Sequence, residues 1–596
     1  MTSLYPIDSE TREAKPLDGL WEFKIDVAGR GLTEHWERSP LRDASPMPVP
    51  SSYNDLSTGA ADRDHVGDVW YQRGFFVPAS WQGDQISLRF GSVTHHASVW
   101  LNGAHVGDHR GGFLPFELDV TTNVRFGQAN HVTVRVDNTL NWTSLPPGEI
   151  SEQPDPTHPA GKRLKQNYHF DFFNYAGIHR PAYLVRKPKQ HIRDITVTTG
   201  RDGSVGRVRY EIDTSVPPSS ASVSLYDEQG RVVASATGRA GELNVPDVKL
   251  WRPGKAYLYE LQANVVFEDG ANDTYRLPIG VRTVEVRGNQ FLINGEPFYF
   301  RGFGKHEDAD LRGRGMDHVT NVRDFNLLKW IGANSFRTSH YPYSEEIMRL
   351  ADREGIVIID EVPAVGMFLF GGHPPNTPVF CDDRVNDKTL AHHLDVMRDL
   401  IARDKNHPCV VMWSVANEAN TSEDAAVPYF TRVADETRRM DPTRPIAIVT
   451  FRPADRAKVE HLFDVIGVNR YKAWYENPGE LDTIGPDLER DLRQFHELFG
   501  KPILVAEFGA DTIHGFHSEP PTMFSEEYQA EYLRRSAAVF DRLDFVIGEH
   551  VWNFADFATK QGVTRVMGNR KGIFTRQRQP KMAAHVLRER WTKLKK

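Results

Sequence analysis

Residues 406–418 read Asn-His-Pro-Cys-Val-Val-Met-Trp-Ser-Val-Ala-Asn-Glu, an apolar, β-branched run that ends abruptly in an amide and a carboxylate. A stretch of the type Val410-Val411-Met412-Trp413 has no wet face, which is the texture of a strand buried in a parallel sheet. Asn417 and Glu418 then fall at its C-terminal end, where parallel barrels place their chemistry. One glutamate there would carry little weight, because most glutamates are solvated surface. A second apolar run, Pro502-Ile503-Leu504-Val505-Ala506, also ends in a carboxylate, Glu507. Two carboxylates at the mouths of two barrel strands point to cleavage of a glycosidic bond. One carboxyl protonates the leaving oxygen, and the other attacks the anomeric carbon or activates water.

The rest of the chain supplies the frame for those two strands. At 596 residues it is too long for one core, so several domains are expected. Residues 1–185 alternate apolar and polar positions in short runs, such as 85–90, 97–101 and 131–136, separated by turn pairs such as Asn102-Gly103. That pattern predicts an all-β jelly roll. Residues 186–285 continue it over a span the size of an immunoglobulin-like sandwich, without the Cys-Trp-Cys core. After Gly295 the texture changes. Eight apolar runs (298–303, 333–337, 356–360, 410–414, 446–450, 465–469, 503–507 and 546–552) alternate with amphipathic segments such as 345–354 and 395–403. Residues 286–596 are therefore predicted to form a (β/α)8 barrel with eight strand–helix alternations.

Composition narrows the partners. With 39% hydrophobic and 26% charged residues the chain is an ordinary globular one, and its net charge of -8 disfavours nucleic acid and anionic membranes. Two cysteines, Cys381 and Cys409, make no disulfide framework and too few ligands for a structural zinc. Residues 1–16 lack an apolar signal core, so a cytoplasmic location is expected, and the sequons at Asn141, Asn272 and Asn420 would matter only after secretion.

Two longer motifs carry a family resemblance. Residues 404–418 closely resemble the acid/base signature of glycoside hydrolase family 2, and residues 334–342, running on to Gly355–Glu361, resemble its other signature. The opening Leu17-Asp18-Gly19-Leu20-Trp21-Glu22-Phe23 resembles the start of that family's sugar-binding jelly roll. Within the family, residues 171–180, Asn469-Arg470-Tyr471, residues 552–557 and residues 569–572 look most like the branch that hydrolyses β-D-glucuronides. The resemblance implies that Glu418 is the acid/base and Glu507 the nucleophile of a retaining double displacement. It implies that Asn417 bonds the sugar 2-hydroxyl and that Tyr471 donates to the nucleophile. Asp171 would reach from the jelly roll into the barrel mouth to bind sugar hydroxyls. His340 would bind sugar or orient a carboxylate, and Tyr475 and Trp552 would line the pocket. It implies no cofactor and no metal, and a homotetramer.

The specificity expectation rests on Asn569 and Lys571. By composition alone, Lys571 reads as a solvated lysine in a basic stretch with Arg565, Arg570, Arg576 and Arg578. Under the resemblance it becomes, with Asn569, the clamp for the C6 carboxylate, with Arg565 adding positive potential. A neutral sugar would then strand a desolvated lysine without a partner, which disfavours β-galactosidase or β-mannosidase activity. A non-catalytic carbohydrate-binding barrel is disfavoured too, since both carboxylates are present. His306, Glu307, Asp308 and Asp310 could suggest a metal; packing and mouth-loop hydrogen bonding is the better expectation. Phe508 stands where relatives often carry Tyr. The Gly- and Pro-bearing stretch 366–383 reads as a mouth loop on the aglycone side.

Overall fold

In the computed structural model, which describes residues 4–370, 373–374 and 376–594, eight parallel strands close on themselves to form the barrel. They are β1 (Phe300–Gly304), β2 (Ser335–Arg337), β3 (Val357–Glu361), β4 (Val410–Asn417), β5 (Ile446–Thr450), β6 (Val465–Asn469), β7 (Ile503–Glu507) and β8 (Val546–Val551). Each run expected from the sequence is there, and β1 pairs with β8 to complete the ring (Phe300 opposite Gly548). Strands β4 to β8 are buried along their whole length, as their missing polar face required.

Among the described residues, seven α-helices wrap the barrel: α1 (His318–Ile331), α2 (Glu345–Glu354), α3 (Asp387–Asp404), α4 (Ala426–Met440), α5 (Ile484–Phe499), α6 (Glu526–Phe540) and α7 (Met582–Lys593). The expected eighth alternation is missing. Between β5 and β6 the described chain makes two 3-10 turns, Ala454–Arg456 and Glu460–Leu462. A helix returning over a five-residue strand, about 17 Å, needs about 11 residues plus two loops. Residues 451–464, interrupted by Pro453, cannot supply them.

Ahead of the barrel lie two β-sandwiches. The first packs a six-stranded antiparallel sheet on a four-stranded one, and Glu13–Pro16 pairs with the returning strand Ala182–Lys187. The second packs a three-stranded on a four-stranded sheet between Ile192 and Ile279. The first sandwich begins at Glu13 rather than at residue 1. Before it, Leu4 and Ile7 pack on the core of the second sandwich. Arg12 and Thr11 bond Asp273 there at 2.5 and 2.7 Å, and Tyr5 reaches Glu346 of α2 at 2.9 Å.

Both sandwiches grip the barrel through arginines. Arg282 of the second donates to the carbonyls of Pro408 (2.9 Å) and Val410 (2.7 Å), pinning the start of β4. Gly355 ends α2 in the left-handed region, and a Cβ there would sit 2.6 Å from the Gly254 nitrogen, so the same glycine allows both the cap and the close approach. From the first sandwich, Arg180 donates to Glu307 (3.0 Å), Pro342 O (2.6 Å) and Phe113 O (2.5 Å). Arg180 and Glu307 are both nearly sealed from water, so removing one strands the other. Arg180→Met should therefore destabilise the sandwich–barrel contact by about 3 kcal/mol, read as an earlier first transition in urea unfolding.

Candidate active site

Glu418 and Glu507 stand at the same end of the barrel, Glu418 just after β4 and Glu507 at the end of β7. Strand β4 slips register against β5 between Ser414 and Asn417, and Glu418 follows in the left-handed region (φ 55°). A non-glycine residue holds that conformation at a cost of about 1–2 kcal/mol. Here the Glu418 N–H is fixed on Val449 O at 2.8 Å. The slip and the turn together swing the Glu418 carboxyl out of the strand into the mouth, where it is partly exposed.

The two carboxyls sit at opposite ends of one hydrogen-bonded network. Arg337, at the end of β2 and fully buried, donates through Nη1 to both oxygens of Glu361 (2.8 and 2.7 Å) and through Nη2 to Glu507 at 2.6 Å. Tyr471 donates to the other Glu507 oxygen at 2.7 Å. The Asn417 Oδ1 accepts from Arg337 (3.3 Å) and Asn469 (3.2 Å), and Asn469 donates to Glu418 at 2.8 Å. With its oxygen occupied this way, the Asn417 amide keeps its nitrogen as a donor. Glu361 also accepts from Ser414 (2.7 Å) and His340 Nδ1 (2.8 Å). That bond assigns the proton to Nδ1 and leaves His340 Nε2 as an acceptor, 3.6 Å from Glu507.

Protonation follows from burial and donors. Burial pushes the Glu507 carboxyl up, against the pull of Arg337 and with a further push from Glu418. Burial also raises Glu418, and the Asn469 bond only partly offsets it. Burial, not the neighbouring Glu507, is thus what raises the acid. Both carboxyls are raised, and the donors around them make Glu418 the better seat for a proton. Glu507 has a guanidinium and a phenol aimed at its oxygens, whereas Glu418 has one neutral amide. Burial, then Glu507, holds the Tyr471 hydroxyl well above its ordinary value, so it stays a donor. Burial outweighs Glu361 in lowering His340, which is neutral at pH 7.

A second cluster faces the same mouth. The loop carrying Asp171 docks on the segment after β8 through Phe173 N to Ala558 O (2.9 Å) and Lys560 Nζ to Tyr168 O (2.5 Å). Asp171 accepts from Arg565 Nε (2.8 Å) and Asn569 Nδ2 (2.7 Å). Lys571 is 1% exposed, lies 4.7, 5.3 and 5.6 Å from the ring centres of Tyr475, Trp474 and Tyr471, and donates to the Tyr475 hydroxyl at 2.8 Å. It also pairs with Asp511. Burial raises the Asp511 carboxyl, but Lys571 and Arg565 outweigh it and hold Asp511 below the ordinary range. The picture of a lysine left bare by a neutral sugar is therefore corrected. Asp511 already neutralises Lys571, because a bare ammonium at that depth would be too costly.

The remaining candidates have plain positions. Trp552 is buried and stacks on His340 at 5.0 Å, forming one wall, while Tyr475 is half exposed at the rim. His306 donates or accepts at Tyr341 (3.1 Å), Glu307 binds Arg180, and Asp308 and Asp310 are engaged by Arg576. Asp352, His407 and Cys409 come together at the opposite end of the barrel; His407 and the Cys409 N–H both bond Asp352, and burial holds the thiol protonated. Phe508 is buried against Phe540 of α6, away from the pocket. In the stretch 366–383, Phe368 packs on Phe370 and Phe451, and Phe370 N reaches His169 of the first sandwich at 3.1 Å. Gly371, Gly372 and Pro375 of that stretch lie outside the described residues. Sequence reasoning did not single out Arg337, Glu361, Asn469 or Asp511 as site residues. The available signal was a charged or amide side chain at, or just beyond, the end of an otherwise apolar strand.

A closed parallel barrel with an ionised and a protonated carboxyl at the C-terminal ends of two strands is the site of a glycoside hydrolase. The chain belongs to glycosyl hydrolases family 2: residues 14–188 match its sugar binding domain, 190–282 match a further model of the family and 284–596 match its TIM barrel domain. It is 56% identical to a β-glucuronidase of Paenibacillus borealis over 99% of this chain and 98% of that protein. The β-D-glucuronidase structure from Dictyoglomus thermophilum superposes with a TM-score of 0.94 at 53% identity, covering 99% of both chains. The Ruminococcus gnavus β-glucuronidase in complex with D-glucuronic acid superposes at 0.93 with 41% identity, again over 99% of each.

The proton assignment has a kinetic signature. Activity should rise with pH as Glu507 ionises and fall as the raised Glu418 loses its proton, giving a bell in kcat/KM. In Glu418→Gln the alkaline limb should vanish, and kcat on a poor leaving group should drop by about 10²–10⁴.

Proposed function

We propose that the chain is an exo-acting retaining β-glucuronidase, releasing D-glucuronate and an alcohol from β-D-glucuronides. The observation that carries this reading is the placement of Lys571 across one tyrosine ring from Glu507. Tyr471 presents its hydroxyl to the nucleophile and its face to the ammonium. A sugar with C1 at Glu507 can thus direct its C6 carboxylate toward Lys571 and Asn569. The relative bound to D-glucuronic acid supports the same substrate class.

In the first step a Glu507 oxygen attacks the anomeric carbon while the bond to the aglycone oxygen breaks, and Glu418 gives that oxygen its proton. In the second, Glu418 takes a proton from water as the water attacks the anomeric carbon and Glu507 departs. Arg337 holds the nucleophile's orientation through both steps. Tyr471 donates to the oxygen that carries charge before attack and after departure. The Asn417 nitrogen bonds the 2-hydroxyl, a contact that strengthens as positive charge builds at C1. Because Asp511 already balances Lys571, selectivity comes from charge-assisted bonds gained by a glucuronide rather than from a penalty on neutral sugars. Resemblance also implies a homotetramer, which sedimentation analysis reads directly.

The deciding experiment compares kcat/KM for nitrophenyl β-glucuronide, β-galactoside, β-glucoside and β-mannoside. A strong glucuronide preference is expected; preference for a neutral sugar would overturn the specificity while leaving the two-carboxylate chemistry. Lys571→Met alone exaggerates the loss, since Asp511 is left to repel the substrate. The double variant Lys571→Met/Asp511→Asn isolates the clamp. It should reduce the glucuronide-to-glucoside ratio by between about 10-fold and about 150-fold, the worth of one hydrogen bond to a charged group. Tyr471→Phe should slow breakdown of the glycosyl-enzyme more than its formation, seen as a nitrophenol burst.

A further inference from the structure

Besides its bonds to the segment after β8, the loop that brings Asp171 to the barrel mouth packs its Phe172 ring on one buried cation. Arg314, in the connection after β1, is 3% exposed, and its guanidinium carbon lies 4.2 Å from the ring centre of Tyr341, 4.8 Å from Phe113 and 5.2 Å from Phe172. Its Nε and Nη1 are buried and hydrogen-bond to none of the described residues. The carboxylates that follow β1 are engaged elsewhere, Glu307 by Arg180 and Asp308 by Arg576. A guanidinium with two of its nitrogens stripped of water in this way is held by the negative faces of the rings around it.

Those rings belong to the pocket's two supports. Phe172 follows Asp171 in sequence, and Tyr341 follows His340. Phe113 stacks on Tyr341 at 4.8 Å and 15°, and Phe172 meets Tyr341 edge-on at 5.3 Å. Apolar packing alone would be indifferent to how the rings are turned. A central cation is not, because only the ring faces attract it.

We propose that Arg314 is a positioning residue of the sugar pocket: its aromatic cage sets the Asp171 loop and the His340 end of β2 in one fixed relation. This rests on the reading that Asp171 and His340 face the sugar. Arg314 itself acts only through them.

The test is steady-state kinetics on nitrophenyl β-glucuronide, with melting temperature alongside. Arg314→Met keeps the volume and loses the charge. It should raise KM about tenfold and leave kcat within about threefold, the pattern of lost uniform binding. Arg314→Lys, which keeps a cation, should recover most of that KM. Phe113→Leu removes the cage wall that touches neither pocket residue; it should raise KM too, and adding Arg314→Met should give no further rise. An unchanged KM in Arg314→Met, no recovery with lysine, or strictly additive effects would each overturn the proposal. Should Arg314→Met not fold, Arg314→Gln takes its place, and the same non-additivity is read between Arg314→Gln and Phe113→Leu. A wild-type protein without glucuronide preference would instead overturn the functional reading, and the variants would then be compared on the glycoside it prefers.

Discussion

Arg337 is the charge on which the pocket depends. It lies at the end of a three-residue strand, fully buried, between Glu361 and Glu507. Burial works against any guanidinium, yet the two carboxylates outweigh burial and keep this one firmly charged. The benefit runs the other way as well. Burial would raise Glu361, but Arg337, His340 and Ser414 together hold it below the ordinary carboxylate range. Glu361 absorbs one edge of the guanidinium and leaves the other for Glu507. Without Glu361, Arg337 would lose the partner that fixes its plane, and the Glu507 oxygens would lose their orientation with it.

From that centre the two carboxyls diverge in role although both terminate apolar strands. Glu507 receives a guanidinium and a phenol; Glu418 receives a carboxamide on a bulged, left-handed turn. The difference in donors, not in residue type, decides which carboxyl is held toward its ionised form and which toward its protonated one. The same economy of charge recurs at the far side of Tyr471. There, Asp171 and Asp511 stand against Arg565 and Lys571, so the pocket is close to neutral before a substrate enters.

The first sandwich is part of the catalytic unit rather than an appendage. It supplies Asp171, and it is held to the barrel by Arg180 on Glu307, Arg89 on Glu345 and the cage around Arg314. The second sandwich contributes no pocket side chain named above. Its Arg282 holds the first carbonyls of β4, the strand whose other end carries Asn417 and Glu418.

Much of this was legible in the amino-acid order because it depends on local pattern. Apolar runs without a wet face had to become buried parallel strands, and a carboxylate ending such a run had to lie at the barrel mouth. All eight strands and the helix 345–354 follow from periodicity of that kind. What the pattern could not decide is which charges meet. The pairing of Lys571 with Asp511, and of Arg337 with Glu361 and Glu507, joins residues distant in sequence. Their partnership is set by strand register and loop docking, not by neighbours. The absent helix between β5 and β6 has the same origin, since only the height of the closed barrel shows that residues 451–464 are too few. The sequence by itself determined the barrel, its two sandwiches and the two carboxylates, because burial periodicity is a property of adjacent residues. The tertiary structure decided the proton's seat, the neutralised lysine and the anchored Asp171 loop, because electrostatic energy depends on distances that only folding creates.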